Sequence, residues 1–187
     1  MTTATTVLDT KLDRAFSMLD ANGTGSLVEA DLLALADKLG AAFNAMENGS
    51  AARLRQALAD LWKSDLAGMD ADGDGEIDVD EFRAGVRRAV AEDREGFLDR
   101  VGDMVEAWMS VADADGDGLI DVVEFTTMYT RTLGASPDAL AASFARLDTD
   151  GDGTLDSDEI RRATEEFYTS EDPDAPGNQL FGPLNEA

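Results

Sequence analysis

The stretch Asp70-Ala71-Asp72-Gly73-Asp74-Gly75-Glu76-Ile77-Asp78-Val79-Asp80-Glu81 sets carboxylates at alternate positions with glycines between them. So many like charges in so short a segment fold only around something positive. A hard cation such as Ca²⁺ takes roughly six to eight oxygen ligands, and a 12-residue loop offers them from positions 1, 3, 5, 7, 9 and 12. On that spacing Asp70, Asp72 and Asp74 each give a carboxylate oxygen and Glu76 gives its backbone carbonyl. Asp78 holds a bound water, and Glu81 closes the sphere with both oxygens. Gly75 stands where the turn is too sharp for a side chain. Ile77, the one apolar residue between ligands, is placed to pair with the same position of a second loop.

The pattern returns twice in full. Asp113, Asp115, Asp117, the Leu119 carbonyl, Asp121 and Glu124 form one copy, and Asp148, Asp150, Asp152, the Thr154 carbonyl, Asp156 and Glu159 form the other. A weaker copy runs through Asp20, Asn22, Thr24, Ser26 and Asp31, with Gly25 and Leu27 in register. There Val28 has no oxygen to hold a ligand water, and Asp31 is one methylene shorter than Glu. Three strong Ca²⁺ sites are expected, with a fourth that is weaker or prefers Mg²⁺, because a smaller six-coordinate ion suits the poorer donor set.

Apolar residues keep one register around all four loops. Eight residues before the first ligand stand Leu12, Trp62, Val105 and Leu140, and four before it stand Phe16, Leu66, Met109 and Phe144. Directly after the last ligand come Leu32, Phe82, Phe125 and Ile160. This is helical spacing. It predicts eight helices over 6–19, 29–46, 51–68, 79–91, 94–111, 122–133, 137–147 and 157–169. Ser136 before Pro137 is a natural helix start, and Asn48-Gly49-Ser50 reads as a break with Ser50 as the next N-cap. Trp62 and Trp108 fall on apolar faces and belong to the core.

One helix–loop–helix unit cannot bury its apolar face, so units pair, the first with the second and the third with the fourth. A short two-stranded contact at Leu27 with Ile77 and at Ile120 with Leu155 joins each pair. The expected fold is all-α, with four such units in two pairs packed into one compact globule. The N-terminal pair spans 1–92, the C-terminal pair 93–170, and a tail 171–187 docks on the core. The junction around Ala91 to Glu95 is not a Gly/Ser/Pro tether, so the halves pack on each other. The tail itself is read as helix-free, with Leu180, Phe181 and Leu184 as its apolar contacts.

Charge narrows the function further. Forty acids against 15 bases give −25, which repels nucleic acid and anionic membrane. Fifteen of the forty acids are ligands of the three full loops, so the acidity serves more than solubility. No cysteine and no histidine are present, which removes thiolate chemistry, most zinc sites and any Ser-His-Asp or Cys-His arrangement. Without catalytic groups beyond carboxylates already committed to ions, the chain is read as a binding protein and not an enzyme. The start of the chain lacks the basic and apolar runs of a signal peptide, and a monomeric cytoplasmic protein that requires no protein partner is expected.

The loops with their flanking helices resemble EF-hands. Over its whole length the chain resembles the sarcoplasmic calcium-binding proteins and their bacterial relative calerythrin. Two features carry this: the first loop closes with Asp31 at its twelfth position, and the tail contains Phe181-Gly182-Pro183-Leu184. The resemblance implies a compact intracellular calcium buffer, often with mixed Ca²⁺/Mg²⁺ sites. It also implies that the first loop binds metal through Asp20, Asn22, Thr24, the Ser26 carbonyl and Asp31. The second loop departs from the family, whose members often have it degenerate, because here it is intact. The coelenterazine-using photoproteins are similar as well, but they depend on histidines that this chain lacks. The alternative function is a calcium sensor that exposes a hydrophobic groove for a partner helix.

Overall fold

The computed structural model describes residues 5–43, 45 and 49–184. The chain runs α1 (Val7–Leu19), β1 (Ser26–Leu27), α2 (Glu29–Ala42), α3 (Ser50–Ser64), β2 (Ile77–Asp78) and α4 (Val79–Glu92). It continues α5 (Arg94–Ala112), β3 (Ile120–Asp121), α6 (Val122–Leu133), α7 (Pro137–Leu147), β4 (Thr154–Leu155) and α8 (Ser157–Thr169). Single 3₁₀ turns lie at Leu66–Gly68 and Pro176–Gln179. The four helix–loop–helix units pair as expected. β1 lies antiparallel to β2 with Leu27 opposite Ile77, and β3 antiparallel to β4 with Ile120 opposite Leu155. These four residues are buried, so each ladder fastens two loops and also plugs the core beneath them.

Local chemistry explains most helix starts. Thr6 and Asp9 form a capping box at α1, and Ser136 caps α7 with Pro137 as its first helical residue. Several boundaries differ from the periodicity. α3 stops at Ser64 instead of continuing to 68, because Asp65 leaves helical geometry and its carboxylate is clamped by Arg100, with Nε at 2.7 Å and Nη2 at 2.8 Å. The N-cap of α3 is Gly49, at φ 86°, and Ser50 is the first helical residue. α2 ends at Ala42, and the expected helical residues 44 and 46, with Asn48 of the predicted break, lie outside the described residues. The tail is not free of helix, since Pro176–Gln179 make a 3₁₀ turn.

Between the halves only Asp93 separates α4 from α5, and its carboxylate accepts the backbone N–H of Gly96 at 3.1 Å. A side chain on residue 96 would displace that carboxylate from its capping position. One hydrophobic cluster then runs through both halves, from Leu12 and Phe16 through Phe82 and Trp108 to Phe125, Phe144 and Phe167. Trp108 is buried and Trp62 is half-buried against the cluster.

α1 closes on the end of α8 and on the tail. Lys11 of α1 is fully buried, and its Nζ donates to the carbonyls of Glu166 at 2.8 Å and Ser170 at 2.7 Å. Those carbonyls lie at the last turn and C-cap of α8, the negative end of the helix dipole, which favours a cation. Burial pushes the Lys11 amine down to about 8, with the nearby Glu171 and Glu166 carboxylates opposing that shift. The tail follows directly: Leu180 and Phe181 are buried, and Phe181 packs edge-on against Phe167 with ring centroids 4.9 Å apart. Tyr129 Oη donates to the Leu180 carbonyl at 3.0 Å, and Arg14 Nε donates to the Phe181 carbonyl at 3.2 Å.

Candidate metal centres

In the second loop the acids converge. Ligand atoms of Asp70, Asp72 and Glu81 lie within 4.8 Å of one another, and the same holds for Asp113, Asp115 and Glu124 and for Asp148, Asp150 and Glu159. These are three acidic triples among the described residues, one in each loop whose pattern is complete. Negative groups are held so close because backbone N–H groups turn inward and orient them. Gly73 and Gly75 donate to the two oxygens of Asp70 at 2.7 and 3.0 Å, Asp74 to Asp72 at 3.1 Å, and Glu76 to Asp74 at 2.8 Å. Gly116, Gly118, Asp117 and Leu119 repeat this scheme around Asp113, Asp115 and Asp117. Gly151, Gly153, Asp152 and Thr154 repeat it around Asp148, Asp150 and Asp152. Gly75, Gly118 and Gly153 all sit at positive φ, the conformation that turns the chain back toward its first aspartate.

Glu81 is placed by the far end of its own loop. Its Oε1 accepts the N–H of Ala71 at 2.8 Å and its Oε2 that of Asp78 at 3.0 Å. Glu124 does the same with Ala114 and Asp121, while Glu159 accepts from Thr149 through both N–H and hydroxyl. The twelfth-position carboxylate therefore already faces the first ligand before any charge balance is considered. Asp78, Asp121 and Asp156 carry a role that ligand spacing alone did not reveal. Each caps the following helix by accepting the N–H of Glu81, Glu124 or Glu159. An Asp followed three residues later by Glu is a capping pattern, so this role was readable. In the fourth loop the Thr154 hydroxyl and N–H both donate to Asp152 and hold its carboxyl below the usual carboxylate range.

The first loop differs at its closing residues. Asp20 still accepts the N–H of Gly25 at 2.9 Å and of Thr24 at 3.0 Å, and the single Thr24 O–H has two acceptors in reach, Asn22 Oδ1 at 3.0 Å and the Ser26 carbonyl at 3.1 Å. But Asn22, standing where the other loops have Asp, donates its amide to Asp31 Oδ1 at 2.8 Å. An aspartate there could not, so this loop replaces a carboxylate repulsion with a hydrogen bond and draws Asp31 across the site. Val28 supplies no side-chain cap to α2. The Ser26 hydroxyl reaches the Glu76 carboxylate, tying the seventh positions of the first and second loops together.

These donor sets suit a hard divalent cation, with oxygen only and carboxylates gathered on one point per loop. Among the described residues no helix is long and apolar enough to cross a membrane. A family model for an EF-hand domain pair matches residues 9–87 and again 55–130, and an EF-hand model matches 140–163. Among solved structures, a Streptomyces coelicolor calcium-binding protein is 29% identical over 87% of this chain and 98% of its own, with a TM-score of 0.70. A sarcoplasmic calcium-binding protein from amphioxus is 20% identical over 95% of this chain and 97% of its own, at 0.73. Calcium-loaded apo-aequorin from Aequorea victoria is 24% identical over 87% and 91%, at 0.69. No curated protein matches. With acidic triples in three of four paired loops and family models spanning most of its length, the chain belongs to the EF-hand calcium-binding proteins and resembles the sarcoplasmic type.

Proposed function

We propose that the protein is a calcium buffer or carrier, without catalytic activity, that takes up three Ca²⁺ ions strongly and a fourth ion more weakly or as Mg²⁺. The observation that carries this reading is the way the tail is built into the core. Leu180 and Phe181 fill the space between α1, α6, α7 and α8, so the apolar surface a partner helix would need is already covered from within. The pairs 1–92 and 93–170 with the tail 171–187 act as one unit, in the cytoplasm and as a monomer. Asp70, Asp72, Asp74, Glu76, Asp78 and Glu81 are the second-loop ligands, with the corresponding residues in the third and fourth loops. Asp20, Asn22, Thr24, Ser26 and Asp31 hold the weaker ion.

Calorimetric titration tests the assignment. Glu81→Gln removes half of a bidentate ligand while keeping its shape, and is expected to abolish one strong Ca²⁺ step and leave two. Three strong steps in that variant would sink the assignment of the second loop.

A second reading has its own support, because the Streptomyces coelicolor protein is described in terms of calcium-mediated regulation. A sensor exposes apolar surface when calcium arrives. For a buffer, the calcium-loaded chain passes through a phenyl resin no more slowly than the apo chain. Calcium-dependent retention, released by EDTA, would favour the sensor.

A further inference from the structure

Against the first loop, whose Asp20 and Asn22 line one edge, α1, α2, α5 and α6 leave a cleft of about 370 Å³. Its floor is apolar and buried, formed by Met18, Leu35, Leu39 and Trp108. A volume of this size is that of an ordinary small-molecule site. The indole N–H of Trp108 is buried and has no hydrogen-bond acceptor among the described residues, which is unusual for a polar atom inside a protein.

The rim is what gives the cleft a chemistry. Lys38 and Arg131 stand on it, both exposed, and among the described residues neither pairs with a carboxylate. Seven of the other arginines are paired with acids, and the rim is one place where two cations of a chain of charge −25 are not. Arg131 reaches only the neutral Ala42 carbonyl, at 3.0 Å, and lies over the Phe43 ring at 5.0 Å. The one acid lining the cleft, Asp20, is engaged by the N–H groups of Thr24 and Gly25 in the first loop.

We propose that this cleft binds a small amphipathic monoanion of the fatty-carboxylate class, its chain on Met18, Leu39 and Trp108 and its head between Lys38 and Arg131. The apolar floor supplies affinity by burying the chain. The two cations supply selection, because a carboxylate is repelled by almost every other face of the molecule.

Laurate is the test ligand, titrated into the calcium-loaded full chain and followed by calorimetry and, in a Trp62→Phe background, by Trp108 emission. One laurate is expected per chain, bound at least tenfold more tightly than dodecyltrimethylammonium, although net charge alone would favour the cation. Lys38→Glu with Arg131→Glu is expected to reverse that preference. Ala42→Trp, which fills the cleft from its exposed edge, is expected to abolish laurate binding with no change in the thermal melt. Lys38→Glu alone, an exposed surface change, keeps the test decisive if the double variant folds poorly, and is expected to weaken laurate severalfold. The inference is overturned if laurate fails to bind below its micellar range, if the ammonium amphiphile binds as tightly, or if affinity ignores the substitutions on the rim.

Discussion

Chelation is expected to lower the melting temperature by roughly 15 to 30 °C. An ion that binds only the folded chain adds about 2.7 kcal/mol per site at a hundredfold excess over its Kd, so the three proposed strong sites would together contribute roughly 8 kcal/mol. For a chain of this size each kcal/mol shifts the midpoint by about 2 to 4 °C. The structure says why the effect belongs to the folded state alone. Only there do Asp70, Asp72 and Glu81, and their counterparts in the third and fourth loops, come within 4.8 Å of one another. Without a cation each triple is a concentration of like charge, relieved in the unfolded chain by simple separation. Scanning calorimetry in EDTA, with metal removal checked by elemental analysis, measures the shift. A melt that stays within a few degrees of the calcium-loaded one would break the link between ion and fold.

Removal of residues 171–187 is expected to cost about 5 kcal/mol or more, since losing one buried Phe side chain alone costs about 3 to 5 kcal/mol. Leu180 and Phe181 are 1% and 3% exposed, and the departure of Phe181 uncovers Phe167, whose ring it packs against. It also strips the carbonyl acceptor from Tyr129 Oη, a hydroxyl in fully buried surroundings, which adds the penalty of an unpaired polar group. Phe181→Ala isolates the packing part of this loss. Denaturant unfolding of the three proteins in saturating Ca²⁺ measures both, and the truncated chain is expected to stick to the phenyl resin that the intact one passes. If the truncated chain unfolds at the same denaturant concentration, the tail is ornament and the case for a buffer loses its main support.

Much of this was legible from residue order because coordination is a local problem. Twelve consecutive residues decide where a loop's oxygens go, and the register of Leu12 and Phe16 or Val105 and Met109 decides which way its helices face. The two ladders followed from Leu27, Ile77, Ile120 and Leu155 for the same reason. What failed to show were single polar contacts whose partner lies far along the chain and repeats in no other unit. The break after Ser64 depends on Arg100, and nothing near Asp65 announces it. Lys11 reads as a solvated charge beside Leu12, yet it shares a helix face with Ala15 and Met18 and is the most deeply buried cation in the molecule. The crossing of Asn22 to Asp31 in the first loop lay within reach, because an amide differs from a carboxylate in being able to donate.

The bond from Lys11 to the end of α8 also orders events during synthesis. Lys11 leaves the ribosome well before its acceptors, which stand 155 and 159 positions later. Chains emerge and fold from the N-terminus, so α1 and its loop are complete long before anything exists to neutralise that buried ammonium. Until Glu166 and Ser170 arrive, the nascent chain must leave Lys11 in water and α1 correspondingly loose. The finished lock of α1 and α8 thus becomes available only to a chain translated past Ser170, and a product that stops short of it is left open at α1.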